Sequence, residues 1–273
     1  MTSTGGGTSD PDRAAGPAAV AERELPGQVA ELVEGLSKPR SAARIRRLIA
    51  VVARAAGQSG QVTWRGAQSG GRWLADQVIA MAPRLPVRDL ATLRRQFPDC
   101  SPEELADALI RGSSRAAASV GAAVGASMVL PVVPAAPVEI ATETLALVGI
   151  ELKLIAELHE VYGMRAPGSV VERMTAYVAA WAQRRGVALA PGGIVLAVGS
   201  PLRRRLQRRL LARAGRSATS LGPMLTGAMA GAVLNRHETR RLGREVRDDL
   251  RQRSPTAAHW PPALPGHGTA EIS

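Results

Sequence analysis

Two glutamates four residues apart, Glu139 and Glu143, come nearest to a paired-carboxylate site in this sequence. On a helix that spacing puts both on one face. Such a pair does acid–base work only where its surroundings push the two proton affinities apart. No general acid, metal ligand or polar pocket residue accompanies them. A polar seam inside a helical core, or a partner contact, is the better reading. The single cysteine, Cys100, stands beside Asp99 with no histidine partner in view and reads as an inert thiol. One cysteine allows no internal disulfide, which suits a reducing compartment. His259 and His267 fall in the C-terminal tail, while His159 and His237 each neighbour a glutamate and read as solvated helix positions. No phosphate-binding loop, nucleophile elbow, zinc-protease motif, paired CxxC or dinucleotide glycine motif occurs. The expectation is a protein that is not an enzyme, with no catalytic residue, cofactor or metal.

The second kind of chemistry is charge. The net charge is +12, and nearly all of it lies between Arg173 and His237, where there is no Asp or Glu. At the centre is PLRRRLQRRLLARAGR, read as a helix from Pro201 to Ala214 in which Leu202, Leu206 and Leu210 share a face. Arg203, Arg204, Arg205, Arg208, Arg209 and Arg213 are the candidate residues for an anionic surface. Each basic residue near lipid headgroups contributes roughly 1 kcal/mol. Nucleic-acid phosphates would be neutralised equally well. No aromatic stacking platform, zinc motif or recognition helix supports that partner. A plainly solvated basic face stays open as the alternative.

The third pattern is small residues. Gly121 and Gly125 lie four apart in one Ala/Gly tract, and Gly227 and Gly231 lie four apart in another. Glycines at that spacing share a helix face and let two backbones approach closely, in a membrane or in a soluble core.

These residues need helices to position them. Aromatics make up 3% of the chain, so Ala, Val and Leu must fill the core. The fold expected is all-α, a multi-helix domain with apolar small-residue hairpins. Residues 1–21 and 254–273 read as disordered tails, 22–100 as a helical N-terminal region, and 101–253 as the main helical domain. No secretory signal is visible at the N-terminus. Apolar periodicity predicts helices over Ser41–Ala56, Gly71–Ala82 and Val87–Phe97. Ser101, Pro102 and Glu104 form a capping-box start. Pro131, Pro134 and Pro137 then break the chain. A long helix follows over Val138–Tyr162, stopped by Gly163. On its wheel Glu139, Glu143, Lys153 and Glu157 form one narrow stripe among Ile140, Leu145, Val148, Leu152 and Ile155. Charges at both ends argue against a simple bilayer span. Further helices are expected over Ser169–Arg185 and in two pieces from Leu221 to about Gln252. The stretch Val187–Gly199 reads as loop or short helix.

Two segments resemble the EcsC-like family and related helical domains that accompany some bacterial GTPases. The first comprises Gly121, Gly125, Pro131, Pro134, Glu139, Tyr162 and Gly163; the family usually has Asp where Glu139 stands. The second is GAMAGAVLNRHETRRLG, with Gly227, Gly231, Asn235, Thr239, Leu242 and Gly243. The resemblance covers roughly residues 100–250. It implies a helical, membrane-associated bacterial protein, one member type of which accompanies an ABC exporter, and it carries over no catalytic residues. The expected setting is cytoplasmic, at the inner face of the plasma membrane. The partner would be an anionic membrane surface or a membrane protein complex, with a homo-oligomer open. A soluble helical interaction scaffold is the alternative, and nucleic acid ranks third.

Overall fold

The computed structural model describes residues 17–35, 41–58, 67–127, 136–190, 193–196 and 223–254. The fold is all-α, with one short hairpin. The helices are α1 (Pro17–Gly35), α2 (Ser41–Gln58), α3 (Ala67–Met81), α4 (Leu90–Gln96), α5 (Pro102–Ser127), α6 (Ala136–Val161), α7 (Val170–Arg185) and α8 (Pro223–Arg253). A 3-10 turn, Ala82–Arg84, extends α3.

Helix ends follow local chemistry. The Ser101 backbone N–H donates to Glu104 at 2.9 Å, and the Glu104 N–H donates back to Ser101 Oγ at 3.3 Å. Ser169 and Glu172 close the same box at the start of α7. Asp89 caps α4 by accepting from the Thr92 N–H at 2.7 Å, so that helix begins at Leu90 and not at Val87. At the end of α6, Gly163 takes φ 63°. The Met164 N–H then reaches back to the His159 carbonyl at 2.8 Å, a wrap that a side chain at Gly163 would strain.

Helix α6 is the axis of the molecule. Every residue from Leu145 to Leu152 is buried, and α6 packs against each other α-helix of the described core. Glu143, Glu151 and Leu154 face α8, whereas Gly149 faces Val33 of α1 and Met81 of α3. At about 100° per residue Gly149 lies on the side opposite those three, so α8 and α3 flank α6 from opposite sides. Helices α5 and α8 run antiparallel: Gly121 lies against Gly231, Ile110 against Gly243, and Asp107 against Arg247.

Other expectations also need correction. Val187–Gly199 is not loop or short helix at its start. Strands β1 (Val187–Ala190) and β2 (Gly193–Leu196) pair antiparallel, Val187 opposite Leu196 and Ala190 opposite Gly193. The Pro-Gly pair between them is a turn signal, and β-branched Val187, Ile194 and Val195 suit strands. The segment from Leu221 is not two helices but one continuous α8. Gly243 does not interrupt it because its missing side chain is a packing requirement: an added methyl would lie 2.9 Å from Ile110 Cγ1. Helix α1 starts at Pro17, inside the stretch read as a disordered tail. Pro137 stands within the first turn of α6, where its missing N–H costs no helical bond. The helix expected over Pro201–Ala214 and the breaks at Pro131 and Pro134 lie outside the described residues.

Candidate functional site

Three glutamates of α6 are almost completely buried: Glu143 at 3% exposure, Glu151 at 2% and Glu157 at 1%. A buried charge is tolerated only when paired and hydrogen-bonded, and each of the three meets a different part of the fold.

Glu151 is the most heavily bonded. Its Oε2 accepts from Trp181 Nε1 at 2.8 Å and from Arg185 Nε at 3.1 Å. Its Oε1 accepts from Arg185 Nη2 and from Thr239 Oγ1, the latter at 3.0 Å. Arg185 reaches onward to Glu238 Oε2 at 3.1 Å. Burial acts to lower the Arg185 pKa, but Glu151 and Glu238 more than offset it, and the guanidinium is raised above its ordinary value. The result ties α6, α7 and α8 into one fork-on-fork contact.

Glu143 takes a hydrogen bond from Asn235 Nδ2 at 2.7 Å. Asn235 gets there because Gly121 is bare. A methyl on Gly121 would land on the Gly231 carbonyl and lie 2.6 Å from that same amide nitrogen. Gly121 of α5 thus makes room for a contact between α8 and α6. Glu157 receives Arg88 Nε at 2.8 Å, Arg88 Nη2 at 2.7 Å and Lys153 Nζ at 2.7 Å. Its hydrogen bond to Arg88 raises the arginine pKa against the burial that lowers it. Lys153 also donates to the Pro86 carbonyl, pinning the segment before α4.

Further polar contacts hold the C-terminal end of α8. Asp249 pairs with Arg184 of α7 at 2.5 Å and with Arg253. Burial acts to raise the Asp249 pKa, but those two arginines hold it below its ordinary value. Arg247 pairs with Asp107 at 2.7 Å. Tyr162 Oη donates to Glu103 at 2.9 Å, and burial together with that bond pushes its pKa well up. His159 is not a solvated position. Its Nδ1 lies 2.7 Å from the Ile155 carbonyl and its ring 4.7 Å from that of Tyr177. Burial lowers its pKa, and Arg253 and Arg184 add to the effect.

A carboxylate offers about four acceptor positions, and the donors around Glu151 use all of them. That geometry clamps helices together and leaves no lone pair of Glu151 for a substrate proton. Among the described residues no group of His, Cys, Asp or Glu side chains is arranged to hold a metal ion. A cleft of about 230 Å³ between α1 and α2 has Leu32, Leu48 and Val51 among its lining, with Arg44, Arg47 and Glu31. None of the buried glutamates lines it.

Of the residues singled out in the sequence, the structure brings together Gly121, Gly231 and Glu143. Gly125 is buried and Gly227 falls within α8. Glu139 belongs to α6, but its side chain is outside the described residues, as are Arg203, Arg204, Arg205, Arg208, Arg209 and Arg213. His237 is exposed and Cys100 is half-buried against the core. Sequence reasoning passed over Glu151, Arg88, Trp181, Arg185 and Glu238. The one available signal was Arg185 itself: within an acid-free segment, an arginine that folds inward must borrow its carboxylate from another helix.

The surface holds a second feature. Met229 and Val233, one helical turn apart on α8, are 65% and 66% exposed. Compared with family models, curated proteins and solved structures, the chain matches none. Function is therefore argued from the chemistry of the molecule itself.

Proposed function

We propose that this protein works by surface contact, lying peripherally on an anionic membrane or on a complex embedded in one. The carrying observation is the exposure of Met229 and Val233 in the N-terminal half of α8, within the acid-free, arginine-rich stretch from Arg173 to His237. Large apolar side chains held in water cost free energy unless something covers them. Lipid covers apolar groups and answers cationic ones in the same surface. Within the described residues no helix is long and apolar enough to cross a membrane, which favours contact over insertion. The resemblance to EcsC-like proteins points to the same class of function.

The test is flotation of the full chain with vesicles. Binding to phosphatidylglycerol or cardiolipin vesicles should exceed binding to phosphatidylcholine and fall steeply with salt, because screening acts over about 8 Å at physiological ionic strength. Changing Arg203, Arg204, Arg205, Arg208 and Arg209 to Gln should weaken it. Equal binding to neutral and anionic vesicles, or to neither, contradicts the proposal. A soluble interaction scaffold then becomes the better reading. Duplex DNA serves as competitor to exclude a general phosphate preference.

A further inference from the structure

The exposed pair on α8 does not stand alone. At about 100° per residue, Met229, Val233, Arg236, Arg240 and Arg244 fall within an arc of roughly 80°. All five are exposed. Their neighbour Arg241 is paired with Glu245 at 2.8 Å, and Glu238 is occupied by Arg185. No salt bridge is formed by Arg236, Arg240 or Arg244 within the described residues. The adjoining face of the helix, Asn235, Thr239, Leu242, Gly243, Val246 and Leu250, is buried against the core.

This arrangement is costly inside the protein. Like charges four residues apart repel along a helix, and exposed apolar side chains order water. Both costs are relieved by one kind of partner: a surface that is apolar below and anionic on top. A nucleic-acid backbone would satisfy the arginines and leave Met229 and Val233 in water. A partner-protein groove could take the apolar pair, but it would need carboxylates matched to three successive helical turns.

We propose that α8 lies flat on an anionic bilayer, Met229 and Val233 entering between headgroups while Arg236, Arg240 and Arg244 each engage lipid phosphate. From Met229 to Arg244 the stripe is about 22 Å long. This geometry is that of an in-plane amphipathic helix, here built onto a rigid domain. It deepens the membrane reading above and rests on it: it names the contacting helix and the orientation of the molecule on the lipid.

The experiment uses the full chain with Cys100→Ser and one new cysteine carrying an environment-sensitive fluorophore. The label is placed at Val233→Cys, or at Ile79→Cys on α3, a position 53% exposed on the side of α6 away from α8. Vesicles of phosphatidylglycerol and phosphatidylcholine carry quenchers in the acyl chains. On binding, the label at 233 should be quenched and that at 79 should not. Independently, with the native cysteine kept, R236Q/R240Q/R244Q should lower the vesicle partition coefficient roughly a hundredfold at low salt, at about fivefold for each arginine removed. If the protein binds anionic vesicles but the label at 233 stays unquenched, the α8 orientation is overturned and the broader membrane reading stands. If it binds no vesicle, both are overturned. If duplex DNA binds the wild type more tightly than the vesicles do, and through the same three arginines, the lipid assignment is overturned.

Discussion

Arginine serves two different purposes on the two sides of α8. Facing inward, Arg185 is 8% exposed and gripped by Glu151 and Glu238. Facing outward, Arg236, Arg240 and Arg244 are exposed, with no salt bridge to a carboxylate among the described residues. The inner one is paired because desolvating an unpaired charge is prohibitive. No such constraint acts on the outer three, and the proposed lipid contact is what would give their alignment with Met229 and Val233 a use. Buried charge here reports on architecture, whereas the aligned exposed charge is what the proposal assigns to a partner. That contrast can be broken or sharpened by mutation.

The largest effect should come from the buried fork. Glu151→Ala leaves the buried Arg185 guanidinium with Glu238 alone and strands the Trp181 N–H, and should cost about 3–5 kcal/mol in chemical denaturation. Replacing both partners, Glu151→Met with Arg185→Met, should recover most of that loss, since apolar packing substitutes well for a buried ion pair. If the double variant is as unstable as the single one, pairing is not what the site contributes.

Next in size is the bare spot at Gly121. Gly121→Leu overpacks the approach of α5 to α8 and displaces Asn235 from Glu143, costing about 1–3 kcal/mol or more. Gly112, on the same helix, has nothing within 4 Å of where a methyl would go. Gly112→Ala should therefore stabilise by roughly 0.4–1 kcal/mol. Thermal melts of the two variants should move in opposite directions.

A smaller effect is pH-dependent. His159 has a folded pKa below its unfolded value, so the unfolded chain binds the proton more readily. Its contribution is complete above the unfolded pKa of about 6.5 and is lost as pH falls from there through the depressed folded value. Asp249 works in the same direction further down, its stabilisation disappearing as its carboxylate is protonated. In a urea-denaturation series from pH 7 to 5, His159→Phe should flatten the fall in stability. An unchanged slope would place the acid sensitivity elsewhere. The smallest stability effect belongs to the outer face. R236Q/R240Q/R244Q should leave the melt nearly unmoved, or raise stability by a few tenths of a kcal/mol as like-charge repulsion is relieved.

The extent to which the sequence revealed this depends on the range of each interaction. Local devices were readable: the Ser101–Glu104 box, the stop at Gly163 and the apolar periodicity of α6 all act within a few residues. The all-α class followed from them. The Glu151–Arg185 pair was not readable. Glu151 sits about 120° around α6 from Glu157, among apolar positions, and its partner is 34 residues away on another helix. The packing of Gly243 against the Ile110 and Leu154 side chains, inside one continuous α8, is likewise not visible in the sequence. The β1–β2 hairpin has four residues per strand, too few for alternation to stand out from helical spacing. Asn235 and Thr239 appeared only within a resemblance; the structure supplies their physical role as donors to Glu143 and Glu151.

The most direct test of the division between inner and outer arginines is the partition of R236Q/R240Q/R244Q onto phosphatidylglycerol vesicles, measured beside wild type across a salt series on protein of known melting temperature. The account predicts partition lowered roughly a hundredfold at low salt, a shallower salt dependence and an unchanged melt. Unaltered partition, or a loss of binding that only accompanies a loss of stability, would contradict it.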